Sequence, residues 1–188
     1  MSLATCRKGL AMALTTAILL PLTGCGPGEG AVRTGWLAPS SPARSTPGTR
    51  VPAPVTGACR LVETATVRAL LELPAVRKKE RRPVDAVPGV RTYTCELLAD
   101  GEPVLTVRVA VGPASGSASA NVRAALDDRP GEPVDGLGDA AAYDRYGDTG
   151  TVAAAFRSGA RMRVLLVSAR RGGRAELVEV ARTVARRL

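Results

Sequence analysis

Two stretches of strict alternation meet across Asp100-Gly101, and they constrain the fold more than any other feature of the sequence. In residues 91–98, Tyr93, Cys95 and Leu97 alternate with Thr92, Thr94 and Glu96. In residues 104–111, Leu105, Val107, Val109 and Val111 fall on one side and Arg108 on the other. Successive side chains of a strand point to opposite faces, so each stretch buries one face only, and the Asp-Gly pair between them suits a tight hairpin turn. Residues 140–146, 151–157 and 161–169 read as three further strands, parted by residues 147–150 and by Ser158-Gly159. In the last of these, Met162, Val164 and Leu166 oppose Arg161, Arg163 and Leu165, so one face is apolar and the other begins cationic.

Helical patterns supply the cover. Glu63 or Thr64 can open a helix in which Val67, Leu70 and Leu71 share a face, with Pro74 ending it. Residues 119–126 place Val122, Ala125 and Leu126 together. Residues 176–188 carry Leu177, Val180, Ala181, Val184 and Leu188 as one amphipathic stripe. The run Arg77-Lys78-Lys79-Glu80-Arg81-Arg82-Pro83 has no apolar period and reads as a solvated loop. Antiparallel strands joined by short turns and covered by helices make an α+β domain, with a mostly antiparallel sheet of about five strands packed by two or three helices. No strand-helix-strand alternation with a glycine-rich phosphate loop is present, which disfavours dinucleotide and P-loop folds.

That domain occupies residues 57–188, a usual size for a single core. Ahead of it, Arg7 and Lys8 precede the uncharged residues 10–20, and Pro21-Leu22-Thr23-Gly24-Cys25 follows. A charged stub, a short apolar run and small residues make a secretory leader, too short to span a bilayer. Leu22-Thr23-Gly24-Cys25 resembles the lipobox of bacterial lipoproteins. The resemblance implies diacylglycerol on the Cys25 sulfur, cleavage after residue 24 and acylation of the new amino group, hence a chain anchored to the membrane on its extracytoplasmic face. Residues 25–56, rich in Pro, Gly, Ser and Thr without period, then form a disordered linker reaching about 30 Å as a coil. Trp36 within it reads as incidental, with an interfacial or partner-binding anchor as the alternative.

Of the four cysteines, Cys6 leaves with the leader and Cys25 is the lipidation site, so Cys59 and Cys95 remain to pair as a disulfide in an oxidising compartment. The alternative is two buried free thiols. The chain contains no histidine, which removes Ser-His-Asp and Cys-His nucleophiles, imidazole bases and His-ligated metals. No catalytic residue, cofactor or metal is expected. Gly136-Leu137-Gly138-Asp139 reads as a structural turn rather than a phosphate cradle, because no helix follows it. Asp135, Asp139, Asp144 and Asp148 lack the ligand order of a calcium loop and read as turn carboxylates. Lys78 and Lys79 lie in a charge run unsuited to a lowered pKa.

The net charge of +9 falls only to +7 on loss of the leader, which removes Arg7 and Lys8 and no acid. The 77–82 run together with Arg161, Arg163, Arg170, Arg171, Arg174, Arg182, Arg186 and Arg187 could form an anion-facing surface or serve as solvated helix and loop faces. Nucleic acid is not an expected partner, for want of domain aromatics and by location.

Taken together, the lipobox, the spacer, Gly57-Ala58-Cys59-Arg60-Leu61-Val62 opening a helix, Cys95 on a strand and the segment from Gly136 to Tyr143 resemble actinobacterial cell-envelope lipoproteins of unknown function. Their domains are described as PsbP/Mog1-like or sensor-like, and they include extracellular sensor domains of some receptor kinases. The resemblance implies an antiparallel sheet packed by helices and a ligand- or partner-binding role at the envelope, with no catalytic residues carried over. The expected function is therefore a non-catalytic, membrane-anchored binding domain. The alternatives are an accessory hydrolase using carboxylates and a cationic wall- or lipid-associating protein.

Overall fold

The computed structural model describes residues 54–188. The leader, Cys25, Trp36 and the linker up to residue 53 lie outside the described residues. Within them the order is α1 (Thr64–Leu70), β1 (Arg77–Val87), β2 (Val90–Ala99), β3 (Glu102–Pro113), α2 (Ala118–Ala125), β4 (Glu132–Pro133), β5 (Ala140–Tyr146), β6 (Thr149–Ser158), β7 (Arg161–Ala169) and α3 (Arg174–Ala185). The strands form one sheet in the order β1-β2-β3-β7-β6-β5-β4, with every described pairing antiparallel. Two meanders are thus joined along β3 and β7.

The α+β class stands, but the described sheet has seven strands where about five were expected. Residues 77–83, expected as a solvated loop, open strand β1, and Cys95 lies on the second strand rather than the first. All eleven residues of β1 are exposed, so no apolar period marks it. Its charges and Pro83 are what a sheet edge tolerates, because they discourage pairing with another chain. The second added strand, β4, has only two residues and pairs with Ala142 and Tyr143. The turn expected at residues 147–150 is shorter, since Thr149 already begins β6.

Register sorts the side chains into two layers. On one face Cys95, Val107, Val167, Val152 and Tyr143 follow one another across β2, β3, β7, β6 and β5, under α1 and α3. Leu177, Val180, Ala181 and Val184 of α3 bury the expected stripe there, beside Val67. On the other face Val122 and Leu126 of the α2 region cover Ala153, Ala155 and Met162. That second cluster covers the β5–β7 half only.

The disulfide between Cys59 and Cys95 is present, with Cα atoms 4.8 Å apart. Strand β1 holds the same segment. Glu80 accepts hydrogen bonds from the N–H groups of Ala58 (2.9 Å) and Cys59 (2.7 Å), and Lys78 donates to the carbonyls of Cys59 and Val62. Both face the α1 side, so alternate members of the charged run fasten the Cys59 segment to the edge strand. Val55, assigned to the linker by composition, is partly buried against the main core.

Candidate functional site

A cleft of about 690 Å³ lies between α2 and the strap that carries the chain from α2 around to β5. Its floor comes from the way β5 and β6 pair: Ala140, Ala141 and Ala142 lie opposite Ala155, Ala154 and Ala153. Of these, the pairs Ala140–Ala155 and Ala142–Ala153 face α2 and leave little bulk above the sheet, while Ala141–Ala154 faces the main core, so Val122 and Leu126 reach the surface directly and space remains at the β5 edge. Ser117 caps α2 by accepting from Ala120 N–H (3.1 Å), which sets where the helix starts.

After α2 the chain reverses through Asp127 and Asp128, both at positive φ, a conformation Asp tolerates better than most residues. Arg129 then lies 2.7 Å from the half-buried Asp144 carboxylate, an ion pair short of ideal hydrogen-bond alignment, and its guanidinium carbon stands 5.0 Å from the Tyr146 ring centre. Gly131 passes so close to the floor that a Cβ there would sit 2.8 Å from Leu126 and 2.9 Å from Ala142. Gly138 combines a positive φ of 68° with an approach that would put a Cβ 2.5 Å from the Ala155 carbonyl oxygen. Its neighbour Asp139 donates its N–H to that same oxygen (2.8 Å) and accepts from Arg157 N–H (2.5 Å). Leu137, between the two glycines, is buried in the main core. Gly136-Leu137-Gly138-Asp139 is therefore a turn that plugs into the core and closes one end of the cleft.

Helix α3 holds the strap from outside. Arg174 donates to the Pro133 carbonyl (2.7 Å) and pairs with Glu132 (3.2 Å), and Arg182 donates to the Asp135 carbonyl (3.2 Å). Other arginines of the expected set also have structural partners: Arg170 with Asp148, Arg186 with Glu179 and Thr183, and Arg187 with Glu63. In the 77–82 run, Arg81 pairs with Glu96 at 2.8 Å. Most of these contacts tie separate elements together, while those of Arg186 lie at the end of α3 itself.

The four aspartates separate. Asp135 and Asp139 line the cleft, Asp144 is held by Arg129, and Asp148 sits in the β5–β6 turn, where it accepts from the Thr149 hydroxyl (3.1 Å). Cys59 and Cys95 lie elsewhere, beside Glu80. Although these three could group their ligand atoms within 4.8 Å, both sulfurs are committed to each other and Glu80 to two N–H groups. The sequence reading missed the cleft residues Val122, Leu126, Gly131 and Ala140–Ala142 as a set. The available signal was the facing alanine runs together with the Pro-Gly-Glu-Pro segment at 130–133.

No protein-family model and no curated protein matches the chain. Among solved structures, the extracellular domain of PknH from Mycobacterium tuberculosis is similar with a TM-score of 0.36 and 11% identity, covering 68% of this chain and 92% of that domain. A likeness this distant carries no argument about fold or function. No described helix is long and apolar enough to cross a membrane.

Proposed function

We propose that this chain is an extracytoplasmic lipoprotein, anchored through Cys25, whose domain binds a small, partly apolar ligand without transforming it. The observation that carries the binding site is the cleft beside α2. Its volume is within the usual range for small-molecule sites, its floor and one wall are apolar, and its rim offers Ser119, Arg123, Asp128 and Asp135. The carboxylate-hydrolase reading has less support, because Asp139 is engaged by a backbone N–H and Asp144 by Arg129. The cationic-association reading has less support because most of the arginines it invokes already hold other elements of the fold.

The site is tested with anilinonaphthalene sulfonate, an amphipathic fluorescent probe, titrated into the full chain carrying Cys25→Ser. Ser119→Trp adds bulk at the mouth from an exposed helical position. The expected result is a loss of probe affinity of about tenfold, equal to about 1.4 kcal/mol, with the circular dichroism spectrum retained. Unchanged affinity would place the probe elsewhere and remove the cleft as the site. The anchor is tested by metabolic labelling with an alkyne fatty acid. Label and membrane association should both disappear in Cys25→Ala, and their persistence would overturn the anchoring.

A further inference from the structure

The sheet face turned away from α1 and α3 is covered by α2 over β5–β7, and no described helix covers it over β1–β3. Register shows what that open half carries. Lys79, Arg81, Val84 and Val87 of β1 lie opposite Glu96, Thr94, Thr92 and Val90 of β2, and Glu96, Thr94 and Thr92 lie opposite Thr106, Arg108 and Ala110 of β3. Directly opposed residues share a face, and Cys95 points to the other one, so this set lies together. Two irregularities in the β1 ladder, one before Val84 and one before Val87, bring both valines opposite members of the set. Each is 56% exposed, and they are two of the three large apolar side chains left exposed among the described residues. Glu96 is the one acid in the set, and Arg81 already engages it at 2.8 Å. The side chains of Arg77, Lys79, Arg82 and Arg108 are exposed and have no ion pair or hydrogen bond within the described residues.

We propose that this open face and the outer edge of β1 dock on a bilayer carrying anionic headgroups. Arg77, Lys79, Arg82 and Arg108 meet the headgroups, and Val84 and Val87 enter the interface between them. Unmatched cations beside exposed apolar tips suit such an interface, because charge draws the surface in and buried apolar area holds it. Where the chain arrives favours the same occupant. Pro54 and Val55 line one concavity together with Asp85, Gly89 and Val90, so the segment ahead of residue 54 joins the domain at the valine-bearing end of the β1–β2 hairpin. Docking depends on the proposed anchor only for its supply of nearby lipid: a tether raises the local lipid concentration, so a weak surface affinity is enough. The cleft beside α2 is a different site and stands or falls independently of it.

The test uses the full chain with Cys25→Ser, so that no acyl chain contributes, and sedimentation with phosphatidylglycerol or phosphatidylcholine vesicles. One basic residue close to an anionic bilayer strengthens binding about fivefold. Lys79→Gln with Arg82→Gln should therefore weaken phosphatidylglycerol binding about 25-fold, with the circular dichroism spectrum retained. Arg145→Gln with Arg171→Gln, exposed changes of equal charge on β5 and on the loop after β7, is the control and should keep most of the binding. Preference for phosphatidylglycerol with that split between the variants supports the surface. No binding to phosphatidylglycerol, equal binding to both lipids, or equal losses in the two variants overturns it. Val84→Trp with Trp36→Phe gives an independent check, because Trp36 is the one tryptophan of the chain. Emission from the introduced indole should shift to the blue when phosphatidylglycerol vesicles are added, and an unmoved spectrum would overturn entry of the valines. Loss of fatty-acid labelling at Cys25 with vesicle binding kept would overturn the anchor alone, and the reverse would overturn this surface alone.

Discussion

The two halves of the sheet are stabilised by different means. The β5–β7 half is layered on both faces, with α3 on one side and α2 on the other, and its alanine-rich surface lets α2 approach closely. The β1–β3 half is layered on one face only. Its edge strand is exposed throughout and is held by its ladder to β2 and a few charged contacts, Glu80 to two amides, Lys78 to two carbonyls and Arg81 to Glu96, while one covalent bridge, Cys59 to Cys95, ties the segment ahead of α1 to β2. Packing depends on volume and is lost through cavities, whereas fastening depends on a handful of bonds and is lost one bond at a time. The two halves should therefore fail differently.

The largest expected effect comes from opening the bridge. Cys59→Ser with Cys95→Ser frees a loop of 36 residues and should cost about 3 to 4 kcal/mol in the chain-entropy account. Urea melts with and without reductant check the magnitude. Hydrogen exchange checks the location: β1 and β2 amides should lose protection while those of β6 and β7 keep theirs, and uniform loss would mean the halves unfold as one. Next is Leu126→Ala, which removes a side chain 1% exposed from the small cluster under α2 and should cost about 2 to 4 kcal/mol. Its protection loss should fall on α2 and the strap, sparing β1–β3. Arg129→Met leaves the half-buried Asp144 carboxylate without its ion pair and should cost about 2 kcal/mol. Adding Asp144→Ala should return part of that, and strict additivity in the double-mutant cycle would show the pair to be uncoupled. The smallest stability effect belongs to Arg174→Met, under about 1 kcal/mol because the pair with Glu132 is exposed. That variant should still lower probe affinity at the cleft by freeing Pro133, and an unchanged affinity would remove α3 as the strap's holder.

The same contrast explains what could be read in advance. The β2–β3 hairpin, β7 and the stripe of α3 each bury one face and expose the other, and that difference writes a period into the chain. Strand β1 buries neither face, so its charges carry no period and read as a loop. Strand β4 is too short for any period. The cleft is illegible for a related reason: it is made by residues that lack bulk, two alanine pairs and Gly131, and a space has no hydropathy of its own. By contrast Cys59 and Cys95 needed only the compartment and a count.

The bridge has a mechanical side as well. A pull on the segment ahead of Cys59 is delivered through two sulfur atoms to β2, a strand with neighbours on both sides, as well as through Glu80 and Lys78 to the edge strand that carries them. Tension is therefore shared with an interior ladder rather than borne by one rim strand alone.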